Sequence, residues 1–517
     1  MSPSDAIAVS APTYSHQQIL RVVTGIMLCI LLAALDQTVV IPAVPAIASE
    51  LNAFGHLSWI VSAYLLTSTA ATPIYGKLSD IYGRRALLLP ALALFIVASI
   101  LCALAANLPQ LIAFRALQGV GGAGLMSMAQ AAIADVVSPR ERGRYQGYMA
   151  SMWGVASVGG PIVGGFITDH LSWNYVFWIN VPIGLAAMWL CNRALRLLPV
   201  RHMKAKIDYL GAALLTSGVT AWLLVLSWGG SEYPWGSPVI VGLSLVGLVL
   251  FAALAMHERR VQDAILPPRM FANPVFSRGV LLAFLTSLGL LGTTFLLPLF
   301  FQLIRGADAS GSGLLIMPFL VFNVIGAYVG GQATRRLGRT KAIILGGLVA
   351  SVLGFAGLVA VGRDTPFVLV FLAMGTVGLG IGVCMPNVLV MVQNAAERRD
   401  VGTATGALLF LRSMGGAFGT TMVGALLTLQ FASGLAAAGI TTPVDLGSMR
   451  DGGALAALGP AAQAAGVSAL AGGFRLAFGG CLALTLLAVV IAMGVKDLPL
   501  RTTAGSDPEA TPAAMGH

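Results

Sequence analysis

Asp36 is the one carboxylate in the body of a long apolar run, Val22 to Ile41. A charge near the centre of a membrane helix costs roughly 2.5–3.5 kcal/mol on insertion scales, and it usually marks a pathway or a relay. The plain reading is a buried acid paired with a neighbouring helix. The sharper reading is a group that takes and releases a proton inside a bilayer, which is the chemistry of a carrier. Two cations also lie in apolar surroundings. Arg115 falls about one and a half turns into a helix that starts near Pro109, and Arg412 about three turns into the penultimate one. Snorkelling accounts for a cation near a helix end, whereas a buried cation favours the charged form of a nearby acid. Arg412 lies deeper and is a candidate for substrate contact or gating. The neutral polar residues Gln37, Thr38, Gln118 and Asn323 are candidates for the same roles.

These groups need elements to hold them, and composition says what kind. Hydrophobic residues make up 57% and charged residues 10% of the 517, against about 25% charged in soluble domains. Residues 1–18 are polar and the first apolar run is too long for the core of a signal peptide, so a cleavable leader is not expected. The five cysteines, Cys29, Cys102, Cys191, Cys384 and Cys481, all sit in apolar runs and read as small core residues rather than a disulfide framework.

The pattern predicts an all-α polytopic membrane protein with fourteen spans, since helices satisfy their own backbone in lipid and no barrel alternation is present. Six spans are expected near 19–45, 57–76, 86–105, 109–134, 145–168 and 174–197. Two follow at 207–229 and 237–256. Six more lie near 277–302, 311–334, 342–361, 366–392, 401–432 and 468–494. This makes a cytoplasmic tail (1–18), a first bundle (19–200), two linker helices (207–256), a second bundle (277–494) with an outer loop at 433–467, and a second tail (495–517).

The net charge of +10 could suggest nucleic acid, but the placement of the charges argues against it. With the N-terminus inside, inner loops and tails hold 24 of the 30 Lys and Arg, the outer side holds Arg305, Arg363, Arg450 and Arg475, and Arg115 and Arg412 lie within helices. By the positive-inside rule both termini are cytoplasmic, in an inner membrane.

An internal repeat adds organisation. The segment Gly76 to Arg85 is echoed 255 residues later by Gly331 to Arg339, and Asp36-Gln-Thr38 to Pro42 is matched 256 residues later by Gly292-Thr-Thr294 to Pro298. Gly119, Gly122 and Gly124 find Gly375, Gly378 and Gly380, and Glu141-Arg142 finds Glu397-Arg398, at the same 256 offset. Two six-helix halves flanking two inserted helices explain one offset in several places. Parallel repeats of this kind place a substrate site between the halves near the midplane.

These motifs resemble the major facilitator superfamily, and within it the fourteen-helix drug:proton antiporter family. The signature G-x-L-x-D-x-x-G-R-R/K is met by Gly76, Leu78, Asp80, Gly83, Arg84 and Arg85. The fourth-helix pattern R-x-x-Q-G-x-G is met by Arg115, Gln118, Gly119 and Gly121. The antiporter pattern of the fifth helix is met by Gly147, Gly160, Pro161 and Gly164, with Ala156 at one glycine position and Gly165 adjacent. In the first-helix pattern Ile41 replaces the usual Asn, which is expected to strip a polar partner from the acid. The resemblance implies proton coupling at Asp36 with Arg115 as modulator, and a hinge along the fifth-helix glycines. It also implies a cytoplasmic latch, with Asp80 facing the N-terminus of the helix that starts near Val401 and Arg84 reaching Asp135 or Glu141.

The expected activity is proton-coupled efflux of amphipathic drugs or toxic compounds by alternating access, in which Asp36 releases its proton to the cytoplasm and competes with substrate. The alternative is a dedicated exporter of one metabolite or natural product, and more remotely a membrane scaffold or receptor. Enzyme chemistry is not expected: no nucleotide-binding loop is present, and the six histidines fall in loops, tails or helix ends, so neither a cofactor nor a metal cluster is implied. The energy source would be the proton gradient, and the partners lipid, protons and a small-molecule substrate. A periplasmic adaptor and outer-membrane channel are compatible with this reading, and a monomer suffices. The second half has no acid opposite Asp36, which argues against a divalent-cation specialist, and the two buried arginines leave neutral or anionic compounds open.

Overall fold

The computed structural model describes residues 15–51, 58–197, 207–230, 232–438 and 460–500. Both tails in part, the basic stretch 198–206 and most of the expected outer loop (439–459) lie outside the described residues.

Among the described residues fourteen long helices carry the fold. The first six are α1 (His16–Glu50), α2 (Ser58–Tyr82), α3 (Arg84–Ala103), α4 (Leu108–Val136), α5 (Pro139–His170) and α6 (Tyr175–Ala194, interrupted at Ile179). Then come α7 (Tyr209–Trp228) and α8 (Pro238–Glu258). The last six are α9 (Pro274–Leu303), α10 (Gly311–Leu337, interrupted at Ile316), α11 (Lys341–Ala360), α12 (Phe367–Ala395), α13 (Val401–Ala437) and α14 (Pro460–Met493). Side chains mark the starts. Ser15 and Gln18 form a capping box on α1, and Asn107, Asp208, Ser237 and Asn273 cap α4, α7, α8 and α9.

Among the described residues thirteen helices are long and apolar enough to cross a membrane. The exception is α2, which has the length (25 residues) but is diluted by Ser62, Thr67, Ser68, Thr69 and Thr72. The outer loop is also shorter than its featureless composition suggested, because α13 runs on to Ala437 and α14 begins at Pro460.

The packing repeats. Contacts of α1 with α5 and α6, of α4 with α2 and α3, and of α3 with α6 recur as α9 with α13 and α14, α12 with α10 and α11, and α11 with α14. Apolar cores fill each set of six: Ile26, Phe95, Leu125 and Met128 in the first, Phe301, Phe355, Phe478 and Val377 in the second. Helices α7 and α8 pack on each other, and α7 leans on α2 and α13 through Leu215 and Val219 against Ala70, Phe410 and Met414.

Two seams join the sets, α2 against α13 and α5 against α10. The repeat exchanges one with the other, and both close through glycine. A Cβ on Gly76 would lie 2.6 Å from the Gly402 carbonyl, and one on Gly143 the same distance from the Gly331 carbonyl. The backbones therefore touch at the end that carries the basic loops, in a way larger side chains would prevent. Overpacking costs typically 1–3 kcal/mol, and here it acts against a helix backbone that cannot rotate away. Gly331→Val should separate α5 from α10 at this end. Spin labels at Arg144 and Arg336 should then report a longer, broader distance distribution than in the parent; an unchanged distribution would show that the seam does not depend on this contact.

Candidate functional site

Asp36 lies inside the first set of helices, fully buried. Its Oδ2 is 2.7 Å from Arg115 Nη1 on α4, and its Oδ1 accepts from Gln118 Nε2 (2.8 Å) and from Asn180 Nδ2 on α6 (2.7 Å). Ser99 on α3 accepts from Gln118. Arg115 donates further to the Ile60 carbonyl and to Gln118 Oε1, and its guanidinium lies 4.6 Å from the Tyr64 ring centroid and 5.7 Å from that of Phe177. Acid, cation and amides so form a closed nest joining α1, α2, α3, α4 and α6. A buried ion pair survives desolvation only when its remaining donors and acceptors are satisfied in this way.

Three partners were not picked out from the sequence: Asn180, Ser99 and Tyr64. An Asn within the sixth apolar run was the available signal. The expectation about Ile41 is corrected. Its side chain is 56% exposed on the outer face of α1, five residues and so about 140° round the helix from Asp36. It could not have offered the acid a partner, and Asn180 holds that place.

The seams enclose the second group. Asp80 accepts from the backbone N–H of Gly402 (2.9 Å) and of Thr403 (2.7 Å) and from the Thr403 hydroxyl (2.9 Å), at the N-terminus of α13. The unsatisfied amides of a helix start favour a carboxylate by up to about 2 kcal/mol in partly buried geometry. Arg84 Nη1 is 2.8 Å from Asp80 and its Nε is 2.8 Å from Asp135, so the charge on α2 is anchored from two sides. Glu141 does not meet Arg84. It pairs across the other seam with Arg335 on α10 (2.9 Å), the residue that occupies the place of Asp80 in the repeat. Arg85 also stays outside the group and donates to Asn192 at the end of α6. Gly83 turns the chain between α2 and α3 at φ 88°, a conformation few other residues adopt.

Of the fifth-helix glycines, Gly147 faces Tyr328 on α10, while Gly160 and Gly164 abut Thr38 and Val39 on α1. Gly165 has open space beside it, and Pro161 is exposed. Thr38 donates to the Ala156 carbonyl (2.8 Å), which ties α1 to α5 at the position where the pattern usually has glycine.

Above the seams lies a cavity of about 1210 Å³ between the two sets of helices. It reaches toward the end remote from the basic loops, where Trp59 and Ser227 line it. Leu, Val and Met side chains dominate its walls, with Gln37, Gln130, Gln146 and Asn323 as scattered amides. Among the sequence candidates Gln37, Asn323 and Arg412 line it, whereas Thr38 and Gln118 do not. Asp36 and Arg115 are also outside it, and Tyr64 stands between: its ring lies against Arg115, and it is also part of the cavity wall. The inserted helix α7 contributes Leu223, Leu224, Leu226 and Ser227 to the wall, and Thr421 donates to the Leu226 carbonyl (3.1 Å). Nothing in those leucines signals a site in the sequence.

The profile of the Major Facilitator Superfamily matches residues 26–420. An uncharacterized MFS-type transporter of Mycobacterium tuberculosis is 35% identical over 96% of this chain and 72% of its own length. The multidrug transporter protein MdtP of Bacillus subtilis is 37% identical over 79% and 75% of the two chains. Among solved structures, the proton:xylose symporter XylE superimposes with a TM-score of 0.63 over 94% of this chain and 97% of its own, at 16% identity.

The Asp80 contact has a measurable consequence. Asparagine at this position keeps one acceptor and loses the charge, leaving helix-start donors underserved at about 1–3 kcal/mol. Asp80→Asn should therefore loosen the basic end. A cysteine placed at Gln393, 2% exposed and donating toward the Gln130 carbonyl across the interface, should react about tenfold faster with a membrane-impermeant maleimide in this background. Equal rates with and without Asp80→Asn would show that closure does not rest on the carboxylate.

Proposed function

The chain belongs to the major facilitator superfamily, and on that premise we propose that it is a proton-driven exporter of amphipathic compounds, working by alternating access with its basic end in the cytoplasm. The observation that carries the reading is a large, mostly apolar cavity between two pseudo-symmetric halves, closed at the basic end, beside a separate buried acid–cation nest. A volume above the 300–1,000 Å³ of ordinary ligand pockets suits varied drug-sized molecules. The bacterial relative named as a multidrug transporter supports the same substrate class.

In this reading the seams at Gly76–Gly402 and Gly143–Gly331 close the cytoplasmic side, and the cavity faces outward. Asp80 and Arg84, with Arg335 and Glu141, hold that state. Asp36 is the proton site. Its protonation removes the charge that balances Arg115 and leaves a cation between two aromatic rings. Arg115 then draws on Tyr64 differently, and Tyr64 passes the change to the cavity wall beside Gln37. Proton and substrate thus oppose each other through this wall and not by sharing one site, which revises the direct competition expected from the sequence. Glycines 147, 160 and 164 let α5 slide on α10 and α1 as the halves rock.

Removing one partner of a buried pair costs about 3–5 kcal/mol, so the test uses two variants. Asp36→Asn, and Asp36→Asn with Arg115→Met to remove both charges, should each reach the membrane yet lose substrate-induced proton movement in everted vesicles. If the double variant is folded and still exchanges protons for substrate at the parental rate, Asp36 is not the coupling site.

A further inference from the structure

Arg412 is the one side chain among the described cavity-lining residues that carries a permanent charge, and no Asp, Glu, Lys or His joins it there. It makes no hydrogen bond or ion pair to another described residue. By contrast Arg115 is paired with Asp36 and Arg84 with Asp80 and Asp135, and the buried Arg142 donates to the Val137 and Ala134 carbonyls. The repeat does not call for an arginine at this position either. The place 256 residues earlier is Ala156, packed against Thr38. An unbalanced cation at membrane depth is costly and persists where it meets water or a ligand.

We propose that Arg412 is the anchor for the charged group of the substrate, and that the cavity takes amphipathic organic anions: an apolar body with one carboxylate or sulfonate. The inference rests on the export reading above and adds the sign of the cargo. The planar guanidinium presents paired N–H donors that match the two oxygens of such a head group. Met126, Met149, Met385, Trp59 and Trp153 offer the body an adaptable apolar surface. Seen from the cavity, Asp36 contributes no attraction for cations, since it is enclosed with Arg115 and lies outside the wall.

Three dansyl probes of nearly one shape test this: dansylglycine (anion), dansylglycinamide (neutral) and N-dansylethylenediamine (cation). Binding to the purified full-length protein in nanodiscs should favour dansylglycine over both others. Arg412→Gln should weaken dansylglycine about tenfold or more while leaving dansylglycinamide unchanged, and Arg412→Lys should restore part of the loss. Should Arg412→Gln fail to fold, the preference of the wild type among the three probes still decides. Equal binding of acid and amide by the wild type, or a preference for the amine, overturns the proposal. Proton-coupled movement of the neutral or cationic probe in vesicles would, in that case, leave the export reading standing. If none of the three probes binds or moves, both readings fall for this class of compound.

Discussion

The closing contact of two helix backbones at the basic end governs this molecule. Helices can approach that closely only where side chains vanish, so both seams use glycine, Gly76 against Gly402 and its repeat mate Gly331 against Gly143. Close approach also brings the start of one helix near the end of another, where unsatisfied amides await a negative charge. In one seam Asp80 supplies it from the partner helix. In the other the charge sits on α5 itself, as Glu141, and α10 offers Arg335 in return. The two halves thus solve the same electrostatic problem with the signs exchanged. The cavity exists because this end is shut and the helices diverge beyond it.

Duplication has been followed by a division of chemistry. The first half keeps a carboxylate in its interior and surrounds it with Arg115, Gln118, Asn180 and Ser99, so that the acid touches no part of the cavity. In the second half the equivalent of Asp36 is Gly292, close to Val423 and Cys481, and apolar residues fill the space. That half instead places an unanswered cation, Arg412, on the cavity wall. A pair of like sites in both halves would let proton and cargo meet the same residues. On the proposed reading, separate sites for proton and cargo require a mechanical link, and Tyr64 is placed to be one, lying on Arg115 with its other side on the cavity.

Much of this was legible in the sequence, for reasons that differ by element. The α2–α13 seam was readable in part, through Gly76 and its repeat mate Gly331 and through Asp80 facing the helix that starts near Val401. Gly143, Gly402 and the α5–α10 seam were not picked out, because single glycines in glycine-rich helices carry no signal of their own. Asp80 was readable because it stands in the G-x-L-x-D-x-x-G-R-R/K pattern, less than one turn from the end of α2, where a carboxylate beside a basic loop is placed to meet a helix start. Asn180 was harder: an amide in a run of Val, Ile and Leu shows no period, and only the folded packing reveals that it faces Asp36. Ile41 misled because the motif was read along the chain while the contact depends on helix angle. Arg84 was expected to reach Asp135 or Glu141, whose order in the chain could not separate them; the fold gives Asp135 to Arg84 and carries Glu141 across the other seam to Arg335.

The inserted helices were read from the sequence only as a linker, and their packing gives them a further part. Helix α7 lies against α2 and α13, the pair that forms one seam, and its leucines continue the cavity wall there. Trp228 at its end meets Trp59 at the start of α2, ring centroids 5.8 Å apart. Among the described residues no equivalent helix stands at the other seam, between α5 and α10. In the proposed rocking motion α2 and α13 move past a neighbour that α5 and α10 lack among the described residues, so the two seams would not open with equal ease. Any asymmetry in the cycle then follows from the insertion as much as from the charges. Because Arg412 is carried on α13, the helix that α7 flanks, the mobility of that seam and the position of the cavity's cation are set by the same contacts.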